Sequence, residues 1–198
     1  LHTVAANDLH GSRLDSSRTE IYPRGVWGGV VRERFTAGQI RAVRAVERRA
    51  ADLVTRFYAL APREWHAMPY EVRTLRHLAP DEVVDSALAH VLCYGVRRTI
   101  DDRVVGERDL FRICLQDHRI LRHLADGSVQ FPALVMFVLT HELVHVVRFG
   151  QRLQALDLPS DLRAGEEASV DKTARLIVRS SGDPGVSAVL ERFALPVD

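Results

Sequence analysis

The stretch that most constrains this chain is Phe131–Val147, seventeen residues in which every position except His141, Glu142 and His145 is apolar or uncharged. It falls short of the roughly 20 residues that span a bilayer, and it carries ionisable groups at its centre, so it reads as a buried helix. Burying two imidazoles and a carboxylate is costly unless they are paired or bound to a metal. On a helix, positions four apart lie almost above one another on one face. His141 and His145 can therefore point at one ion, and Glu142, beside them around the helix, can hold a water against it. The competing reading is a core helix whose imidazoles bond to neighbouring groups.

Pro132 fits the first turn of that helix and Gly150 fits the position just past its end. A catalytic zinc commonly has three protein ligands and one position open to water. His-Glu-x-x-His supplies two of the three. The extended motif with a third histidine needs a glycine at 148 and a histidine at 151, where this chain has Arg148 and Gln151. The other common solution takes a glutamate from a later helix. Glu167 and Asp171 fit, one helical turn apart on one face. Glu167 would bind the metal, and Asp171 would accept the free ring N–H of a ligand imidazole.

With these residues the sequence resembles the gluzincin metallopeptidases, the thermolysin-like clan, in a compact single-domain form. His141-Glu142-Leu143-Val144-His145 and Glu167-Ala168-Ser169-Val170-Asp171 match that family's two helical motifs, and the resemblance covers roughly residues 110–180. It implies bound Zn2+, with His141, His145 and Glu167 as ligands. It also implies Glu142 as general base and Asp171 behind His141. The family's usual asparagine before the ligand glutamate is Glu166 here, and Glu166 is the alternative ligand. The implied activity is hydrolysis of a peptide or protein substrate. The alternative is a zinc-binding regulatory or partner-binding protein of the same fold, of the ImmA/IrrE type, without general proteolysis. The oxyanion of peptide hydrolysis needs a further donor, for which Tyr94, His118, His123 and Arg175 are the candidates.

The rest of the chain is consistent with one domain of 198 residues. A net charge of +1 argues against a nucleic-acid or membrane-surface partner. Two cysteines, Cys93 and Cys114, are too few for a disulfide framework. With no signal-peptide pattern at the start, a reduced cytoplasmic protein is expected. The oligomeric state is left open.

The expected fold class is α+β, mostly helical: a zincin-like domain with a small sheet beside the His-Glu-x-x-His helix and a glutamate helix after it. Residues 1–35 form an irregular arm, 36–100 a helical subdomain and 105–198 the catalytic core. The arm, or the tail 194–198, is a candidate for lying in the cleft and holding the site latent. In the arm, Ile21-Tyr22 and Val26-Trp27 are short strands or anchors. Thr36–Leu60 is a long amphipathic helix, with Ile40, Val43, Val46, Ala50, Val54 and Phe57 at helical spacing on one face and an arginine-rich solvated face opposite. Further helices are expected over Tyr70–Leu78 and Asp81–Val96, then a polar connection over Asp101–Asp109. Leu110–Leu115 alternates like a strand, and Leu110–Gln116 is the candidate edge for pairing with extended substrate. The last two helices are expected over about 163–180 and 186–193.

Overall fold

The computed structural model describes residues 5–6, 32–100, 103–155 and 159–193. The arm's expected anchors, and most of the two segments that could hold the site latent, lie outside the described residues. The described chain is α+β and mostly helical. Its elements are β1 (Ala5–Ala6), α1 (Ala37–Tyr58), α2 (Pro62–Ala67), β2 (Tyr70–Arg73), β3 (Ala89–Ile100), β4 (Arg103–Leu115), α3 (Asp117–Leu124), α4 (Phe131–Gly150), α5 (Ser160–Arg179) and α6 (Pro184–Arg192).

The core is built around α4. Every residue from Ala133 to Val147 is buried, as an all-round apolar helix requires. Helix α1 packs along it with Val43, Val46, Ala50, Leu53 and Val54 inward. Thr36 caps α1 as expected, its hydroxyl accepting from the Gln39 amide while the Gln39 side chain returns to the Thr36 amide. Helices α5 and α6 cover another side of α4, and the sheet lies across it. At the C-terminal end Gly150 closes the helix rather than following it. A Cβ at Gly150 would collide with the Met68 side chain, so the missing side chain permits this close approach.

The sheet differs most from expectation. Its order is β1-β3-β4-β2. Strands β3 and β4 form a long antiparallel hairpin from Ala89↔Leu115 to Ile100↔Arg103, with a register shift between Arg98 and Thr99. Strand β2 runs parallel to the far side of β4, and β1 parallel to β3. Tyr70–Leu78 is thus a strand followed by a 3₁₀ turn (Leu75–His77), not a helix. Asp81–Val96 is a second 3₁₀ turn and the start of β3, and Arg103–Asp109 is strand rather than connection. Residues 36–100 accordingly do not form a helical subdomain, because they supply two strands of the sheet.

The burial of β3 explains the difference. Ala89, His90, Val91, Leu92 and Cys93 are all buried, so both faces of the strand are covered. A strand covered on both sides loses its polar alternation, and its apolar positions then also satisfy a helical spacing. The substrate-edge expectation for Leu110–Gln116 fails too. Residues 111–114 are paired with β2 on one side and β3 on the other, so β4 is interior and offers no free edge there.

Asp117, at the start of α3, joins these parts. Its carboxylate accepts from the amides of Phe35 at 2.9 Å and Leu75 at 3.0 Å. It thereby fixes the entry to α1 and the turn after β2 against the end of β4.

Candidate metal centre

Four rings descend one face of α4 at four-residue steps: Phe137, His141, His145 and Phe149. Neighbouring centroids lie 6.4, 5.0 and 5.7 Å apart. The two phenylalanines close off the imidazoles above and below, and both histidines are almost wholly buried. Helix α5 packs against this face and carries Glu167 to it. Nε2 of His141 and Nε2 of His145 each stand 3.4 Å from a different oxygen of the Glu167 carboxylate. One ligand atom from each of the three residues lies within 4.8 Å of the others.

Geometry distinguishes the two adjacent glutamates. The Glu166 carboxylate accepts from Nε of Arg148 at 2.5 Å, on a different side of α5. Glu167 alone reaches both imidazoles.

The electrostatics follow from burial and proximity. Burial pushes the Glu167 carboxyl upward, but hydrogen bonds from His141 and His145 outweigh it and hold the group well below the usual carboxylate range. Burial likewise opposes protonation of His145. The Glu167 bond and the charge of Glu142 prevail, and the imidazole sits above its ordinary value. Glu142 behaves differently. Burial raises its pKa, and the two imidazoles offset this only in part. A buried carboxylate whose pKa is raised by desolvation is poised to take a proton.

The expected bond between Asp171 and His141 is not made. Asp171 accepts from Nε of Arg175 at 2.5 Å, one turn along the same helix. Arg175 also donates to the carbonyls of Leu190 and Phe193, tying α5 to the end of α6. Among the described residues, Nδ1 of His141 is buried without a partner. The competing acceptor is sequence-local: an arginine four residues on from Asp171 captures its carboxylate.

Sequence reasoning missed Gln154. Its Oε1 lies 3.3 Å from Nδ1 of His145. When the neutral ring donates Nδ1–H there, Nε2 is left with the free lone pair that a metal ligand needs. Gln154 lies in the connector after α4, where no periodicity marks it.

Beside these residues opens a cavity of about 410 Å³. His141, Glu167 and Asp171 line it, together with Arg119 and His123 of α3 and the segment Ser86–Leu88 that leads into β3. Of the four candidate oxyanion donors, His123 alone faces the cavity unengaged by an acid. Tyr94 donates to Glu82 at 2.6 Å on the outer face of the sheet. His118 is paired with Asp85 at 2.7 Å, and Arg175 is held by Asp171.

No family model, curated protein or solved structure matches the chain.

Proposed function

We propose that this protein is a zinc-dependent metallopeptidase of gluzincin type, with a zincin-like fold and the ligand set His141, His145 and Glu167. The observation that carries the reading is the approach of two Nε2 atoms from α4 to one carboxylate from α5, each at 3.4 Å. Ligand atoms about 2.0–2.2 Å from a tetrahedral zinc stand roughly 3.4 Å from one another, which the two imidazole–carboxylate distances match, and the three donor atoms lie within 4.8 Å of one another. Three ligands leave a fourth position, as hydrolysis requires.

The bound ion would supply Lewis acidity toward a carbonyl oxygen and lower the pKa of water beside it. In peptide hydrolysis a C–O bond forms from water to the carbonyl carbon and the C–N bond breaks. Glu142 takes the proton from the attacking water and delivers it to the departing nitrogen. Its raised pKa suits both halves of that transfer. Gln154 holds the His145 tautomer, and His123 is positioned on the cavity wall to donate to the developing oxyanion.

A second reading is favoured by burial. Glu142 is 2% exposed and the ligand histidines 1% and 3%. A site so covered also suits a zinc-binding regulatory protein of the same fold that does not cleave peptides in general.

One experiment separates these readings. Elemental analysis of the wild type and of His141→Ala should show zinc lost from the variant. Glu142→Gln should keep zinc while turnover of a mixed peptide library disappears. Cleavage by Glu142→Gln equal to wild type rules the mechanism out, and a zinc-loaded wild type that cleaves nothing favours the regulator.

A further inference from the structure

One charged group on the cavity wall, Arg119, is not used by the chemistry above. Helix α3 presents Arg119 and His123, one turn apart, to the same space that His141 and Glu167 line. The other walls are largely apolar, from Ala87, Leu88, Ala164, Ala168 and Phe193.

The Arg119 side chain has no hydrogen-bond or ion-pair partner among the described residues. The acids that face the cavity are already engaged. Glu167 bridges the two imidazoles, and Asp171 holds Arg175. Nε of Arg119 is buried and makes no hydrogen bond. A guanidinium is always charged and presents planar donors matched to a carboxylate, so leaving its buried Nε–H without an acceptor beside an apolar pocket is unfavourable unless a ligand completes it. The surroundings are cationic. Burial first, then the charges of Arg119, Arg192 and Arg122, push the His123 imidazole below its ordinary value, against a smaller opposing influence of Asp126. Asp126 is itself engaged by Arg192 at 2.6 Å.

From this arrangement we infer that the cavity receives a substrate carboxylate on Arg119. The protein therefore selects peptides with an acidic side chain, or a free C-terminal carboxylate, next to the bond at the metal centre. The specificity rests on the peptidase reading of that centre. The carboxylate site itself rests only on α3 and the cavity.

Binding to the zinc-loaded Glu142→Gln protein tests the inference without turnover. Two probe pairs distinguish the carboxylate's source. One is acetyl-Ala-Leu-Glu-Leu-Ala-amide against its Gln counterpart, and the other is acetyl-Ala-Leu-Ala as the free acid against the amide. In at least one pair the acid should bind roughly tenfold or more tighter, the strength of a charge-assisted pair. The preference should vanish in Arg119→Met and return in part in Arg119→Lys. Arg119→Met should melt no lower than its parent, because it removes a buried donor that has no partner. A lower melting temperature would instead assign Arg119 to the fold.

Equal binding of acid and neutral peptide in both pairs overturns the inference, as does a preference that survives Arg119→Met. Zinc content of the same samples reports separately on the peptidase reading. Full zinc loading without any acid preference sinks the specificity alone. A preference that follows Arg119 in protein holding no zinc sinks the peptidase and leaves the carboxylate site standing.

Discussion

Two polar clusters among the described residues, one on each side of the sheet, are built in opposite ways, the outer partly exposed and the inner almost wholly buried. On the outer face, Arg112 of β4 donates to Glu71 and to Glu82, each at 2.6 Å, and Tyr94 donates to the same Glu82. Arg73 adds a second pair to Glu71. Charges alternate, every main group has a partner, and the network is closed. On the inner face, two imidazoles share one carboxylate, burial raises the pKa of Glu142 beside them, and Nδ1 of His141 is orphaned among the described residues. A closed network of this kind rigidifies a fold. An unsatisfied cluster in a well-packed core calls for another explanation, and a ligand is the most economical one.

The contrast is sharpest when one acid is removed from each cluster. Glu167→Ala should weaken zinc binding by more than about 100-fold, beyond what loss of an outer hydrogen-bond partner does. It should leave the zinc-free fold within about 1 kcal/mol of wild type, because an imidazole without its carboxylate can discharge. Competition with a zinc-sensitive dye and thermal melts of the zinc-free proteins measure the two effects. A variant that binds zinc normally would remove Glu167 from the site and break the comparison.

Glu82→Gln should do the reverse. Arg112 cannot discharge, so losing its most buried partner leaves a charge poorly compensated. The expected cost is about 2–3 kcal/mol, reduced from the fully buried case because a quarter of the Arg112 side chain is exposed. In a chain of this length that lowers the melting temperature by roughly 5–10 °C. Zinc affinity should stay within about twofold of wild type, since the hairpin separates the clusters. An unchanged melting temperature would mean that the closed network contributes nothing.

The network also sets a pH window. Burial alone would raise the Glu71 and Glu82 carboxyls. The bonds from Arg73 and Arg112 to Glu71, and from Tyr94, Ala79 and Arg112 to Glu82, outweigh it, and both sit below the ordinary value of 4.5. Carboxyls depressed in the folded state stabilise it fully above their unfolded pKa. That contribution disappears as pH falls through the folded values. Acid unfolding followed by far-UV circular dichroism should therefore begin below about pH 4.5. Glu82→Gln should make the remaining transition shallower, and an identical acid limb in both proteins would refute the assignment.

The same contrast explains which parts of the fold and the site are legible in the sequence. Helices α4 and α5 are legible because a His-Glu-x-x-His inside an apolar run is costly unless its members converge on something, and Glu167 lies on the next long helix. Helix α1 is legible from its stripe and its cap. Strand β3 is not, because cover on both faces erases the alternation that marks a half-exposed strand, and β2 is not, because it is an edge strand of four residues that are all half-buried and so carry no alternation to read. The partner of Asp171 is not legible either, because spacing shows which residues share a face, not which neighbour reaches the carboxylate first. Arg175 does.

The smallest predicted effect tests the partner that sequence does not reveal. Gln154 reaches Nδ1 of His145 from a connector, at 3.3 Å, a long bond to a flexible side chain. Outer partners of this type change metal affinity by about ten- to a hundredfold, and this geometry places Gln154→Ala near tenfold. Asp171→Asn should leave zinc affinity almost unchanged, because its partner is Arg175 and not an imidazole. It should instead loosen the junction between α5 and α6, visible as faster amide exchange at Leu190 and Phe193. If Asp171→Asn weakened zinc more than Gln154→Ala, the carboxylate would have to turn from Arg175 to His141 when the metal binds. The two ligand histidines would then be supported from opposite sides, one by a loop amide and one by a helix acid.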